Sequence, residues 1–109
     1  MEERNLQKNV EKWLSDRNIW YLKVWGNGIQ KSGIPDLLLC VNGHFVAVEL
    51  KASEGKITTL QKFNLRKITD NNGISIVLFP SGLEAFKAFI EKLKDSMSQR
   101  LKEDYEIFA

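Results

Sequence analysis

Residues 35–51 read PDLLLCVNGHFVAVELK, two apolar runs that are joined by Asn42–Gly43. An Asn-Gly pair between apolar runs indicates a β-hairpin, because both central positions of a type I′ turn need a positive φ. A two-residue turn also fixes the register of the strands, and this register places Asp36 opposite Glu49 at the end away from the turn. The pairs predicted nearer the turn are Val41–His44, Cys40–Phe45, Leu39–Val46, Leu38–Ala47 and Leu37–Val48.

Three charged residues interrupt the apolar pattern at that end of the hairpin: Asp36, Glu49 and Lys51. Directly opposed residues lie roughly 5 Å apart at Cβ, and like charges there are destabilising. Side chains alternate along a strand, so Lys51 points to the same face as Glu49. Two carboxylates held beside a lysine favour a divalent-cation site, with the backbone carbonyl of Leu50 as a third oxygen ligand.

Such a site suits the hydrolysis of phosphodiesters. Mg²⁺ or Mn²⁺ held by carboxylates lowers the pKa of a bound water and neutralises charge that develops on the phosphoryl oxygens. A lysine beside the metal can orient the attacking water or stabilise the transition-state charge. From the residues alone we therefore expect a metal-dependent nuclease.

Composition and length are those of one ordinary globular domain, with 43% apolar and 28% charged residues among 109. The single cysteine excludes an internal disulfide framework and fits a reducing compartment. No apolar stretch is long enough to span a membrane, and the charged N-terminus lacks the apolar region of a signal peptide. We expect a single domain over 1–97, an extension or tail over 98–109, and a cytoplasmic location.

The distribution of charge is more informative than the formal net charge of +2. Five basic residues and one acid fall between Lys51 and Lys67, next to the predicted acidic site. A basic strip beside metal-binding acids is typical of a surface that binds phosphates. The residues that we expect to bind DNA are Lys23, Lys31, Lys56, Lys62 and Arg66.

The rest of the chain has the patterns of alternating helices and strands. Apolar periodicity predicts helices over about 3–17, over 58–70 and from 81 onward, with strands over 19–25 and 74–79. Thr58 with Gln61, and Ser81 with Glu84, match the capping box that begins a helix. The order helix, three strands, helix, strand, helix predicts an α/β fold with a mixed central sheet that is flanked by helices.

The apolar pattern also predicts which side chains are buried. Both faces of the hairpin are apolar, which indicates central strands with helices over each face and makes Cys40 a small core residue. Trp13 and Trp20 are expected in the core rather than as platforms for stacking bases, and Trp25, next to the polar loop that begins at Gly26, could serve in either role. His44 falls at the turn and is expected to be exposed.

The strings GIPDL at 33–37 and VAVELK at 46–51, followed by Leu60–Gln61, resemble the VRR-NUC (virus-type replication-repair nuclease) family of the PD-(D/E)xK superfamily. The resemblance runs from the first helix to about Phe79. It implies a restriction-endonuclease-like core, dependence on Mg²⁺ or Mn²⁺, and cleavage of branched DNA in repair or recombination. Small stand-alone members of this family are often phage-encoded and look like homodimers that cut four-way (Holliday) junctions.

The resemblance also implies roles for single residues. Asp36 and Glu49 would bind the metal, Lys51 would be the catalytic lysine, and Gln61 would support the active site. The capping box offers a second explanation for Gln61, one that needs no catalysis.

The family further tends to carry a glutamate near a glutamine on its first helix. Glu3 with Gln7 matches this pattern best and makes Glu3 the candidate additional ligand, while Glu11 matches less well.

Other functions stay open on the sequence alone. The same chemistry could serve a nicking, flap-cutting or sequence-specific nuclease. The chain could instead be a DNA-binding module that does not cleave, or a structural domain in which the motif occurs by chance.

Overall fold

Helices and strands follow one another in the predicted order: helix, three strands, helix, strand, helix. The structure is a computed structural model that describes residues 2–26, 32–96 and 105–108. The elements within these ranges are α1 (Glu3–Asp16), β1 (Trp20–Lys23), β2 (Leu37–Val41), β3 (His44–Leu50), α2 (Thr59–Asp70), β4 (Ile74–Leu78) and α3 (Leu83–Lys94). None of the helices in these ranges has the length and apolar character that crossing a bilayer requires.

The strands form a mixed sheet in the order β1-β2-β3-β4. β2 is antiparallel to both of its neighbours, β1 and β3, and β4 lies parallel to β3 after a crossover through α2. The α/β fold with a mixed, helix-flanked sheet is therefore confirmed. Its three helices and four strands in the described residues are compatible with a restriction-endonuclease-like core.

The hairpin has the register that the sequence predicts. Both turn residues have a positive φ, 50° at Asn42 and 82° at Gly43, as a type I′ turn requires. All five predicted pairs between β2 and β3 are present. One further step in this register brings Asp36 beside Glu49, at the end of the sheet where β3 leads into α2.

The hydrophobic core lies between one face of the sheet and the helices α1 and α3. Alternate residues of β2 and β3 face these helices, so the intervening residues, including Asp36 and Glu49, face α2. The core consists of Leu6, Val10, Trp13, Leu14, Ile19, Leu37, Leu39, Val41, Val46, Val48, Leu50, Leu78, Phe86 and Ile90.

α2 packs over β4 and reaches Glu49 of β3, and so leaves part of the second face open. It is joined to β4 by the hydroxyl of Ser75, which donates to the carbonyl of Leu65 at 2.8 Å. Cys40 is exposed, and Phe45 and Trp20 remain 47% and 62% exposed. The expectations of full cover on this face and of a buried Cys40 and Trp20 are therefore wrong. A helix about 10 Å across covers about two strands spaced about 4.8 Å apart, not four.

Of the remaining predictions of burial, some are confirmed, and the core role left open for Trp25 is wrong. Trp13 is buried against Phe86 in the core, as expected, and His44 at the turn is exposed. Trp25 is 76% exposed because β1 ends at Lys23, two residues earlier than its apolar sequence predicts. Residues 97–104 and 109 lie outside the described residues, and the described part of the predicted tail, 105–108, is exposed.

One of the two predicted capping boxes is present. Thr58 caps α2, with its hydroxyl accepting the N–H of Gln61 at 3.1 Å. The second box, Ser81 with Glu84, is wrong: α3 begins after Gly82 with no side-chain cap. Pro80 starts a short 3₁₀ turn over Pro80–Gly82, which takes Ser81 out of the extended conformation that an N-cap needs.

Candidate active site

Asp36 is buried immediately before β2 and is hydrogen-bonded to β3 and to the residue that follows β1. Its Oδ2 accepts the backbone N–H of Leu50 at 2.8 Å, and its backbone carbonyl accepts the N–H of Val24 at 2.9 Å. Only 8% of the residue is exposed. The carboxylate of Asp36 therefore lies against the backbone of β3 within the Glu49–Leu50–Lys51 segment.

Glu49 and Lys51 lie on the same face of β3, as strand alternation predicts. The Nζ of Lys51 is 3.6 Å from the Oε2 of Glu49, while Leu50 between them is fully buried in the core on the opposite face. Glu49 and Lys51 are 3% and 9% exposed. Their pairing lies in a site that is largely closed to solvent, where burial of one ion without the other would be costly.

Gln61 joins the start of α2 to this pair. Its Nε2 donates to the Oε2 of Glu49 at 3.0 Å, and its Oε1 accepts the backbone N–H of Thr58 at 2.9 Å. The two explanations offered for Gln61 are therefore compatible, because a primary amide carries both a donor and an acceptor. The capping box fixes the side chain in the orientation from which it reaches Glu49.

The acidic residues of α1 are not joined to this cluster. Glu3 is exposed in the first turn of α1, and Gln7 donates to Glu11 at 3.0 Å within the helix. Within 2–26, 32–96 and 105–108, no group of three or more His, Cys, Asp or Glu is placed to hold a metal. The structure thus brings Asp36 and Glu49 together but does not bring Glu3 into one ligand group with them.

The donor set at the end of β3 fits a hard cation. Asp36 and Glu49 supply carboxylates, and the carbonyl of Leu50 is the backbone oxygen between Glu49 and Lys51. Mg²⁺ prefers oxygen ligands and commonly keeps several waters beside one or two carboxylates, so two acids suffice for it. The residues present therefore suit Mg²⁺ or Mn²⁺ better than Zn²⁺, which is typically held by several His or Cys ligands.

The described basic residues that were predicted to bind DNA do not all lie on one face of the sheet. Lys56 precedes α2, and Lys62 and Arg66 are exposed on α2. The Nε of Arg66 lies 3.4 Å from the Oδ1 of Asp70. Lys23 pairs with Leu37 in the sheet, so its side chain leaves the strand on the face that packs against α1. The Nζ of Lys23 lies 4.0 Å from the centre of the Trp25 ring. Lys31 lies outside the described residues.

Two features near the site were missed from the sequence. Gly55 closes a turn onto Lys51: a Cβ added at Gly55 would be 3.2 Å from both Cβ and Cδ of Lys51. Asn64 on α2 donates to the carbonyl of Gly33, three residues before Asp36. The glycines themselves were visible in the sequence, but nothing in a single sequence tells which glycine another segment packs against.

A scan against protein-family models finds none that matches this chain, and a search of curated proteins finds no similar sequence. The resemblance to VRR-NUC nucleases therefore stays a prediction, and the functional argument depends on the residues of the site.

Proposed function

We propose that this protein is a metal-dependent endodeoxyribonuclease. The observation that carries the proposal is that two buried acids, Asp36 and Glu49, lie at one end of the sheet, where Glu49 pairs with Lys51 and Asp36 accepts the N–H of Leu50. In this proposal Asp36, Glu49 and the carbonyl of Leu50 bind Mg²⁺ or Mn²⁺. The bound cation would activate a water and neutralise charge on the phosphoryl group.

The charge of the cluster supports a function beyond stability. Two carboxylic acids and one lysine meet in a site where each residue is less than 10% exposed. Burying charged groups costs several kcal/mol per ion even when they are paired, so such a cluster is a poor way to stabilise a fold. A divalent cation bound there would add positive charge beside the two acids.

The protein's own side chains have distinct roles in the proposed reaction. Lys51 lies where its ammonium group can orient the attacking water or stabilise negative charge on the phosphoryl oxygens. Gln61 holds the carboxylate of Glu49 in a fixed orientation through the bond at 3.0 Å. The Leu50 N–H does the same for Asp36.

We propose branched DNA, with a four-way junction preferred, as the substrate. Lys62 and Arg66 are exposed on α2, the helix on the acids' side of the sheet, and Lys56 is exposed shortly before α2, which supports contact with a phosphate backbone. A homodimer presents the same surface twice and so matches the symmetry of a four-way junction. Nicking, flap-cutting and sequence-specific cleavage use the same site and are the alternative substrates.

Two apolar surfaces support the proposed homodimer. An open groove of about 430 Å³ lies along the edge strand β4, with Ile76, Phe86 and Phe89 among its lining residues. Tyr105, Ile107 and Phe108 near the C-terminus are each at least 77% exposed. Surfaces of this kind are typical of protein contacts.

The test is Mg²⁺-dependent cleavage of a four-way junction compared with flap, nicked and linear duplex DNA. Native protein is expected to cut, and Lys51→Ala is expected to lose at least about 100-fold in rate, as for other electrostatic catalytic groups. Lys12→Ala is the control, because Lys12 is an exposed lysine whose ion pair with Asp16 lies on the surface of α1.

The alternatives give different results in the same assay. Metal-independent DNA binding without cleavage of any substrate would favour a binding module. Absence of DNA binding, metal binding and cleavage would favour a structural domain with a chance motif.

A further inference from the structure

The segment that leads to Asp36 packs tightly against α2. Gly33 has a φ of 75°, and a Cβ added there would overlap Leu60 Cγ and lie 2.9 Å from Asn64 Nδ2. Only glycine accepts both this conformation and this approach at little cost. The backbone at Gly33 therefore rests directly on the helix.

The side chain of Asn64 makes hydrogen bonds at this contact. Its Nδ2 donates to the carbonyl of Gly33 at 2.9 Å and to the carbonyl of Leu60 at 3.2 Å. Asn64 follows Gln61 by one helical turn, so the two side chains emerge on the same side of α2. Gln61 is hydrogen-bonded to Glu49, and Asn64 is hydrogen-bonded to the segment before Asp36.

The connection from Gly33 to Asp36 is short and stiff. Only Ile34 and Pro35 lie between them, Pro35 is buried, and its ring fixes φ. A shift of Gly33 is thus transmitted to Asp36, whose Oδ2 meets the N–H of Leu50.

We propose that Asn64 is a positioning residue that sets the carboxylate of Asp36 relative to that of Glu49. In this arrangement α2 links the two carboxylates, because Gln61 is hydrogen-bonded to Glu49 and Asn64 is hydrogen-bonded to the segment before Asp36. The proposal rests on the proposed function where it concerns the metal, but the position of Asp36 can be measured without metal or DNA. A role in stability alone would weaken the whole sheet and would not act selectively on Asp36.

The test is amide hydrogen exchange at Leu50 in the metal-free protein, measured by NMR for native protein, Asn64→Ala and Asn71→Ala. Asn71 is the matched control, because its Nδ2 also donates to a carbonyl on α2, that of Lys67, at 2.8 Å. Asn64→Ala is expected to raise exchange at Leu50 about tenfold, as expected for the loss of one hydrogen bond, while Val46 and Val48 stay unchanged. Asn71→Ala is expected to leave all three amides unchanged.

A second measurement is calorimetric titration with Mn²⁺. Asn64→Ala is expected to bind at least about tenfold more weakly than native protein and Asn71→Ala, because residues that orient metal ligands typically contribute this much. If Asn64→Ala does not fold, Asn64→Asp keeps the shape of the side chain, removes its N–H donors and is expected to give the same two effects.

The outcomes separate the two proposals. Unchanged exchange at Leu50, or equal acceleration at Leu50, Val46 and Val48, would overturn the role of Asn64. Selective acceleration at Leu50 with no Mn²⁺ binding to native protein would support that role and overturn the metal site. Selective acceleration together with weakened Mn²⁺ binding supports both.

Discussion

Gln61 donates from Nε2 to the Oε2 of Glu49 at 3.0 Å while its Oε1 accepts the N–H of Thr58 at 2.9 Å. One amide thus completes the cap of α2 and orients a buried carboxylate at the end of β3. The start of the helix and the acidic cluster are consequently one unit, and a substitution at Gln61 tests both.

Gln61→Ala is expected to lose both contacts. The loss of the cap should destabilise the protein by about 1 kcal/mol, and the loss of the bond to Glu49 should lower cleavage about 10- to 100-fold. Thr58→Ala is the control, because it removes a cap acceptor without touching Glu49. Urea unfolding should show similar destabilisation for both variants, whereas cleavage assays should show a large loss of rate for Gln61→Ala alone. Equal cleavage rates for the two variants would contradict the role of Gln61 in orienting Glu49.

Mn²⁺ is expected to raise the melting temperature of native protein, because a ligand that binds only the folded state stabilises it by about 2.7 kcal/mol at 100 times its Kd. Asp36→Asn should abolish this shift, since it removes one of the two acids of the site. Asp16→Asn, at an exposed acid paired with Lys12, should retain it. Scanning fluorimetry with Mn²⁺ and with a chelator gives the comparison. A shift that survives in Asp36→Asn would place the cation elsewhere.

Alanine substitutions at Gly33 and Gly43 distinguish the energetic cost of backbone strain from that of close packing. Both have a positive φ, 75° and 82°, but a Cβ at Gly33 would meet α2, whereas nothing lies within 4 Å of one at Gly43. Gly43→Ala is expected to cost about 1–2 kcal/mol of unfolding free energy for the left-handed conformation alone. Gly33→Ala should cost about 1–3 kcal/mol more because of overpacking. Equal costs in urea unfolding would contradict the contact between Gly33 and α2.

The proposed dimer surface is tested at Phe89, which is 44% exposed beside the groove along β4. Phe89→Asp is expected to halve the mass of the native particle measured by light scattering, because a charge in an apolar contact is costly to bury. Phe63→Asp is the control, since Phe63 is similarly exposed, at 58%, but lies on α2. A monomeric native protein, or equal effects of the two variants, would contradict a dimer through this surface.

The hairpin and the cluster at its end could be predicted because their information is local. Asn42–Gly43 fixes the turn, the turn fixes the register, and strand alternation brings Glu49 and Lys51 to one face. The same locality made the cap by Thr58 predictable.

The failures concern interactions between segments that are distant in sequence. Whether Trp20 and Cys40 are buried depends on how far α2 extends across the sheet, which their own apolar neighbours do not encode. The contact between Asn64 and Gly33 joins residues 31 positions apart and leaves no periodic pattern. The predicted cap of α3 by Ser81 is wrong because Pro80 begins a tighter turn that includes Ser81.

The central claim is that Asp36 and Glu49 share one divalent cation beside Lys51. The most direct measurement is a crystal structure of the protein with Mn²⁺, with the ion located from its anomalous scattering. We expect a peak about 2.1 Å from a carboxylate oxygen of each acid, within the distance range of hard-cation sites. A structure at saturating Mn²⁺ with no peak between these two residues, or with their side chains on opposite faces of the sheet, would contradict the account.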